Sequence, residues 1–141
     1  MATGKWVQTE SAIAEAEKET SAEIRVHLSR RIFEGDPLKN AEKVFRRLKM
    51  DQTKGRNGVL LYVQLRKRRF AIFGDTGIHE KVGQSYWTAT CQGLAAALKT
   101  KQVDLAIAET VSEIGKTLKK YFPNDPNQAN PNELSNQVSQ D

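Results

Sequence analysis

Asp75 stands in the segment Gly74-Asp75-Thr76-Gly77, and His79 and Glu80 follow within five residues. Carboxylates in a polar, Gly-containing segment suit a hard cation. Calcium takes six to eight oxygens, which a few acids, loop carbonyls and waters can supply. The same Asp also fits a turn in which it bonds only its own backbone. No EF-hand spacing is present to decide between the two. His79-Glu80 opens like a zinc-protease helix, but the position four after His79 is Gly83, so the second histidine of H-E-x-x-H is missing. The other histidine, His27, lies on a strand whose start, not its middle, faces this segment. Zinc is therefore disfavoured, and His79 is assigned to hydrogen bonding at the rim of the site.

Phosphate chemistry would need a charge clamp and an activated nucleophile. Arg56 and the amides at the start of a helix near Gln84 could hold a phosphate. A metal at Asp75 would lower the pKa of bound water, and Asp75 itself could attack. Against this, the chain lacks the two-Asp and Cys-x₅-Arg patterns of committed phosphatases. A third class of function rests on Arg66-Lys67-Arg68-Arg69 with Arg30 and Arg31. Such a cluster could meet an acidic protein, a headgroup surface or nucleic acid. It is also what keeps a hairpin turn soluble, and no aromatic interleaves it as single-strand binding requires.

The elements must bring these residues together. Val59 to Val63 and Phe70 to Phe73 are unbroken apolar runs, read as a hairpin of strands 58–64 and 69–73 covered on both faces. Residues 22–28 alternate, with Ile24, Val26 and Leu28 on one side, and read as a strand nearer the sheet's edge. Asp36-Pro37 gives a cap and first residue to a helix carrying Leu38, Ala41, Val44, Phe45 and Leu48 and ending near Met50. Further helices are predicted over 10–20, 84–99 and 103–121, with Gly74–Gly83 as a polar loop. Cys91 falls on the apolar stripe of the 84–99 helix and reads as packing.

Strand, helix and strand in one small domain make a right-handed parallel crossover. Strand 22–28 then runs parallel to 58–64, and 69–73 runs antiparallel to both. The expected fold is a three-layer α/β/α sandwich, a small mixed sheet of three to four strands flanked by about four helices. Chain direction collects Glu23, Asp51, Arg56, Asn57, Asp75, His79 and Glu80 at one edge of the sheet, with the tail brought back to it. Arg30, Arg31 and the Arg66–Arg69 turn collect at the opposite edge. Ligands of open α/β sheets usually lie at the carboxyl ends of parallel strands, which here is the basic edge; the Gly-rich polar segment points to the acidic one.

The totals agree with one domain. The chain has 141 residues, a net charge of +5 and a single cysteine, so no internal disulfide. There is no signal-peptide pattern and no run of apolar residues long enough to span a bilayer, so a cytoplasmic location is expected. Residues 1–122 form the domain. Residues 123–141 are rich in Asn, Gln, Ser and Pro and are expected to be disordered, or docked loosely through Leu134 and Val138.

Several segments, taken in order, are familiar: Thr20-Ser21-Ala22-Glu23-Ile24-Arg25-Val26, Arg56-Asn57-Gly58-Val59-Leu60-Leu61-Tyr62-Val63, Phe70 through Gly83 with Trp87 following, and Asn132-Glu133-Leu134. Together they resemble the TPM-domain family, in its short soluble cytoplasmic branch. The resemblance implies the helix-flanked sheet argued above. Some members carry a transmembrane helix; a plant thylakoid-lumen member is described as an acid phosphatase; several bind calcium or similar cations at an acidic loop. Short members carry acids just before the tail's Asn-Glu-Leu, where this chain has Gln128-Ala129-Asn130-Pro131, so its hold on a cation is expected to be weaker.

The resulting expectation is a divalent-cation module, Ca²⁺ or else Mg²⁺. Asp75, Glu80 and Glu23 would be ligands, with Asn57, His79 and Glu133 at the rim. The alternatives are a metal-assisted acid phosphatase using Asp75 and Arg56, and an adaptor binding an acidic partner through Arg30, Arg31, Arg66, Lys67, Arg68 and Arg69.

Overall fold

A computed structural model gives the structure of the protein; it describes residues 5–124 and 138–141. The elements run α1 (Val7–Glu19), β1 (Ile24–Ser29), α2 (Pro37–Arg47), β2 (Val59–Gln64), β3 (Arg69–Gly74), α3 (Thr76–Ala97), α4 (Val103–Tyr121) and β4 (Ser139–Gln140), with a short 3₁₀ turn at Met50–Gln52 after α2. The strand order is β3-β2-β1-β4, with β1 parallel to β2 and β4 and β2 antiparallel to β3.

The predicted crossover and hairpin are both present, for the reasons the sequence gives. Every residue of β2 is buried, as expected of an apolar strand covered on both sides. The two faces pack separately. Ile24, Val26, Leu28, Val59, Leu61, Val63 and Ile72 join Ile13, Trp87 and the apolar stripe of α4 in the larger cluster. Leu60, Tyr62 and Ala71 face Ala41, Val44 and Phe45 of α2 in the smaller one. The result is a three-layer α/β/α sandwich, with α1, α3 and α4 on one side and α2 on the other. Asp36 caps α2 by accepting from the Leu38 N–H, and Pro37 occupies its first turn.

Three expectations are corrected. The polar segment Gly74–Gly83 is not a loop: α3 begins at Thr76, and the break falls only at Gly83, with φ 77° and ψ 168°. That conformation is open essentially to glycine alone, so Gly83 bends the helix where the sequence had started it. β1 is not at the sheet's edge, because β4 pairs with it through His27↔Ser139 and Leu28↔Gln140. The tail does begin at the acidic edge, where Pro123 bridges to Thr20, but residues 138–141 end at the basic one. Asn132, Glu133 and Leu134 lie outside the described residues.

Candidate functional site

The end of β3, the start of α3 and the 53–58 connection meet at one edge. The Asp75 N–H donates to the Gly58 carbonyl at 2.9 Å, and the Gly77 N–H to that of Arg56 at 2.7 Å. Gly77 is required for this approach: a Cβ there would lie 2.1 Å from the Gly55 carbonyl oxygen. Asp75 is the N-cap of α3, its carboxylate accepting from the Thr76 N–H at 2.7 Å. It also accepts from Arg56 Nε at 2.9 Å and Nη2 at 3.2 Å, a bidentate pair. The residue is buried, whereas the Arg56 side chain is 54 % exposed. Asp75 foremost, and Asp51 less, hold the guanidinium pKa above its ordinary value. Arg56 makes this reach from a left-handed backbone, φ 49°.

Beside the pair lies a cleft of about 360 Å³ between α2, β3 and α3. Its polar side is Arg56, Asp75, Asp51, Arg46 and His79; its apolar side includes Trp87, Phe45 and Leu38. Trp87 Nε1 donates to His79 Nδ1 at 3.1 Å. That bond leaves the proton of a neutral His79 on Nε2. Gly74 lets the Trp87 ring sit against the strand, since a Cβ there would be 2.5 Å from it.

The other expected site residues are placed as follows. Glu80 is exposed on α3 and does not line the cleft. Glu23 is buried and hydrogen-bonded to Glu17, whose carboxylate also accepts from the Ile24 N–H at 3.1 Å. Burial first, then Glu23, pushes the Glu17 pKa up to about 9, so a proton is held between the two acids at neutral pH. Asn57 is buried beneath the connection, its N–H donating to Thr53 Oγ1. Glu133 lies outside the described residues. Chain direction thus joins Asp75, Arg56, Asp51 and His79 in one cleft, and sends Glu23 and Glu80 elsewhere. Among the described residues no three His, Cys, Asp or Glu side chains form a group able to hold a metal ion.

Arg46 and Trp87 complete the cleft, and nothing in the sequence marks either as a site residue. Arg46 follows Phe45 on a strongly amphipathic helix, and Trp87 has the spacing of core packing, so neither carries a local signal. Cys91 is half-buried on α3, and burial pushes its thiol up to about 11 against the opposing Ile72 N–H; it is an inert thiol.

At the opposite edge, Arg66 Nε donates to the Arg30 carbonyl at 2.8 Å. Arg31 and Arg47 reach the Asp141 carboxylate at 2.9 and 3.4 Å. His27 Nε2 stands 3.0 Å from Asp141 Oδ1, and His27 Nδ1 is 2.7 Å from Ser139 Oγ. Burial holds the His27 pKa below its ordinary value. No helix among the described residues is long and apolar enough to cross a membrane.

The comparisons agree with this architecture. The family model described as TPM domain matches residues 4–117. The NMR structure of BA42 protein from the psychrophilic bacteria Bizionia argentinensis is 35 % identical, covers 100 % of this chain and 95 % of its own, and superposes with a TM-score of 0.87. No curated protein matches the chain.

Proposed function

The chain belongs to the TPM-domain family, and from that premise we propose that it is a divalent-cation-responsive binding module whose site is the Asp75 cleft. The observation that carries this reading is the asymmetry of the Asp75–Arg56 pair. The acid is buried and fixed by the Thr76 amide, while the cation balancing it is half exposed and is also drawn, more weakly, by the charge of Asp51. A small hard cation competes for the place of that guanidinium. Asp75 and Asp51 would hold it, with carbonyl and water oxygens completing its shell, because no third acid among the described residues joins them. Two carboxylates with neutral oxygens make a weak site, which is also what the missing tail acids imply. The physiological metal on this reading is Ca²⁺, with Mg²⁺ the smaller alternative.

The test is a thermal melt of the whole chain with and without millimolar CaCl₂. A ligand bound by the native state alone raises the midpoint. The expected result is a rise in the wild type that is absent in Asp75→Asn. No rise in the wild type, or an equal rise in the variant, overturns the reading.

One observation favours a second reading, an acid phosphatase at the same cleft. His79 Nε2–H, Arg46 and Arg56 together offer donors for the oxygens of a phosphate monoester. A bound cation would supply an activated water; the side chains would position the ester and donate to its leaving oxygen. Hydrolysis of a chromogenic phosphate ester that disappears in both His79→Ala and Asp75→Asn supports it, and hydrolysis unchanged in either sinks it.

A further inference from the structure

The connection between β1 and α2 carries the two most exposed large apolar side chains among the described residues. Ile32 is 61 % and Phe33 is 91 % exposed, and they are consecutive. The setting is not that of a frayed loop. The Arg30, Glu34 and Gly35 carbonyls accept from the side chains of Arg66, Lys67 and Gln64. The Arg31 N–H faces Ser29 Oγ, and the Tyr62 hydroxyl donates to Glu34. The backbone is braced from the sheet while its two apolar residues are held out in water.

Cations surround the tip. On one flank the β2–β3 turn presents Arg66, Lys67, Arg68 and Arg69, all exposed; on the other stand Arg31 and Arg47. The carboxylates close by are Glu34, Asp36 and Asp141, and Asp141 is shared by Arg31 and Arg47. Positive charge therefore exceeds negative by a wide margin around an apolar point.

We propose that this edge is a peripheral membrane-docking surface. The Ile32–Phe33 tip enters the interfacial layer of an anionic bilayer, and the flanking arginines and Lys67 lie against headgroups. Three features favour lipid over an acidic protein. A stable protein interface buries roughly 800 Å² on each partner, which two side chains on a convex tip do not supply. Backbone near lipid must have its polar groups satisfied internally, and here the three carbonyls of Arg30, Glu34 and Gly35 that flank the tip already are. A single apolar insertion gives only marginal binding and needs a basic patch as its second anchor; both are present side by side.

The full-length chain is mixed with phosphatidylcholine vesicles with and without phosphatidylserine, and binding is read by co-sedimentation. Binding only to the anionic vesicles, weakening as salt rises, is expected. Phe33→Ser, whose site is exposed and whose melting temperature should equal that of the wild type, should weaken binding by about tenfold or more. Arg68→Glu with Arg69→Glu should abolish it. In Phe33→Trp, brominated lipid should quench emission beyond the quenching of Trp6 and Trp87 seen in the wild type. The proposal is overturned if anionic vesicles do not bind, or if Phe33→Ser binds as the wild type does. It is equally overturned if soluble polyglutamate binds as tightly as vesicles and indifferently to Phe33→Ser, which marks an acidic-protein site instead.

Discussion

Arg56 grips the Asp75 carboxylate through two nitrogens, at 2.9 and 3.2 Å, while the first amide of α3 donates at 2.7 Å to Oδ1, the oxygen that Arg56 Nη2 also reaches. The acid is thus shared between a fixed donor and a replaceable one. Arg56→Gln removes the replaceable donor and leaves a buried carboxylate short of positive charge. Its melting temperature should fall below that of the wild type without Ca²⁺ and recover more than the wild type does when Ca²⁺ is added. Differential scanning fluorimetry over a calcium titration checks this. A variant that loses stability and gains nothing from calcium refutes the exchange of guanidinium for metal.

Gly77→Ala tests the scaffold instead of the charge. Its Cβ would meet the Gly55 carbonyl oxygen at 2.1 Å and that of Arg56 at 2.7 Å, and both obstacles are backbone. Overpacking of this kind costs about 1–3 kcal/mol, sometimes more. Urea unfolding should show the loss. Because the displaced segment carries Arg56, the calcium response should shrink with it.

The Glu17–Glu23 pair gives a pH signature. The folded-state pKa of Glu17 is raised from 4.5 to about 9. Its contribution is therefore complete below the unfolded value, diminishes as the pH climbs, and is gone once the pH passes the folded value. Glu17→Gln keeps a group able to hydrogen-bond while removing the titration. Melting temperatures from pH 5 to 9 should fall for the wild type relative to the variant, and the variant should be the more stable at pH 8. Parallel curves would show that Glu17 does not hold the proton.

Asp141→Asn loosens the end of the tail. Burial alone would raise the Asp141 carboxyl, but His27, Arg31 and Arg47 outweigh it and hold it below its ordinary value of 3.8. The stabilisation is present above that value and is lost as the pH falls through the folded one. The Arg31 and Arg47 side chains are half exposed, and pairs of that kind are worth about 1 kcal/mol or less. The Asn that replaces Asp141 can still accept from His27, so the global melting temperature should scarcely move. Amide exchange should instead quicken at Arg30 and Asp141, whose N–H groups join the tail to β1. Unchanged exchange at both amides would show that the carboxylate is not what seats the tail.

The parts of the fold legible in the sequence are those governed by period and direction. The apolar runs of β2 and β3, the capped stripe of α2 and the parallel crossover need only local pattern and handedness. Direction also delivers Arg56 to Asp75, because the ends of antiparallel neighbours adjoin. It does not say which way a side chain leaves an edge, so Glu23 turns inward to Glu17 and Glu80 outward to water. The first turns of α3 are hidden in the sequence because Gly77 looks like a turn residue, whereas its role is to admit the Gly55 carbonyl, a contact between distant segments. Ser139–Gln140 has no strand signal; pairing with β1 alone makes it one.

That two-residue strand has a consequence for association. The chain's own tail covers β1 at His27 and Leu28 and presents an edge of only two residues, whereas β3, at the other margin, presents six and pairs with no strand but β2 among the described residues. Backbone-to-backbone joining of two molecules along β3 consumes the longer margin of each and leaves only the two-residue β4 edges, a poor template for adding a third molecule while residues 139–140 stay seated.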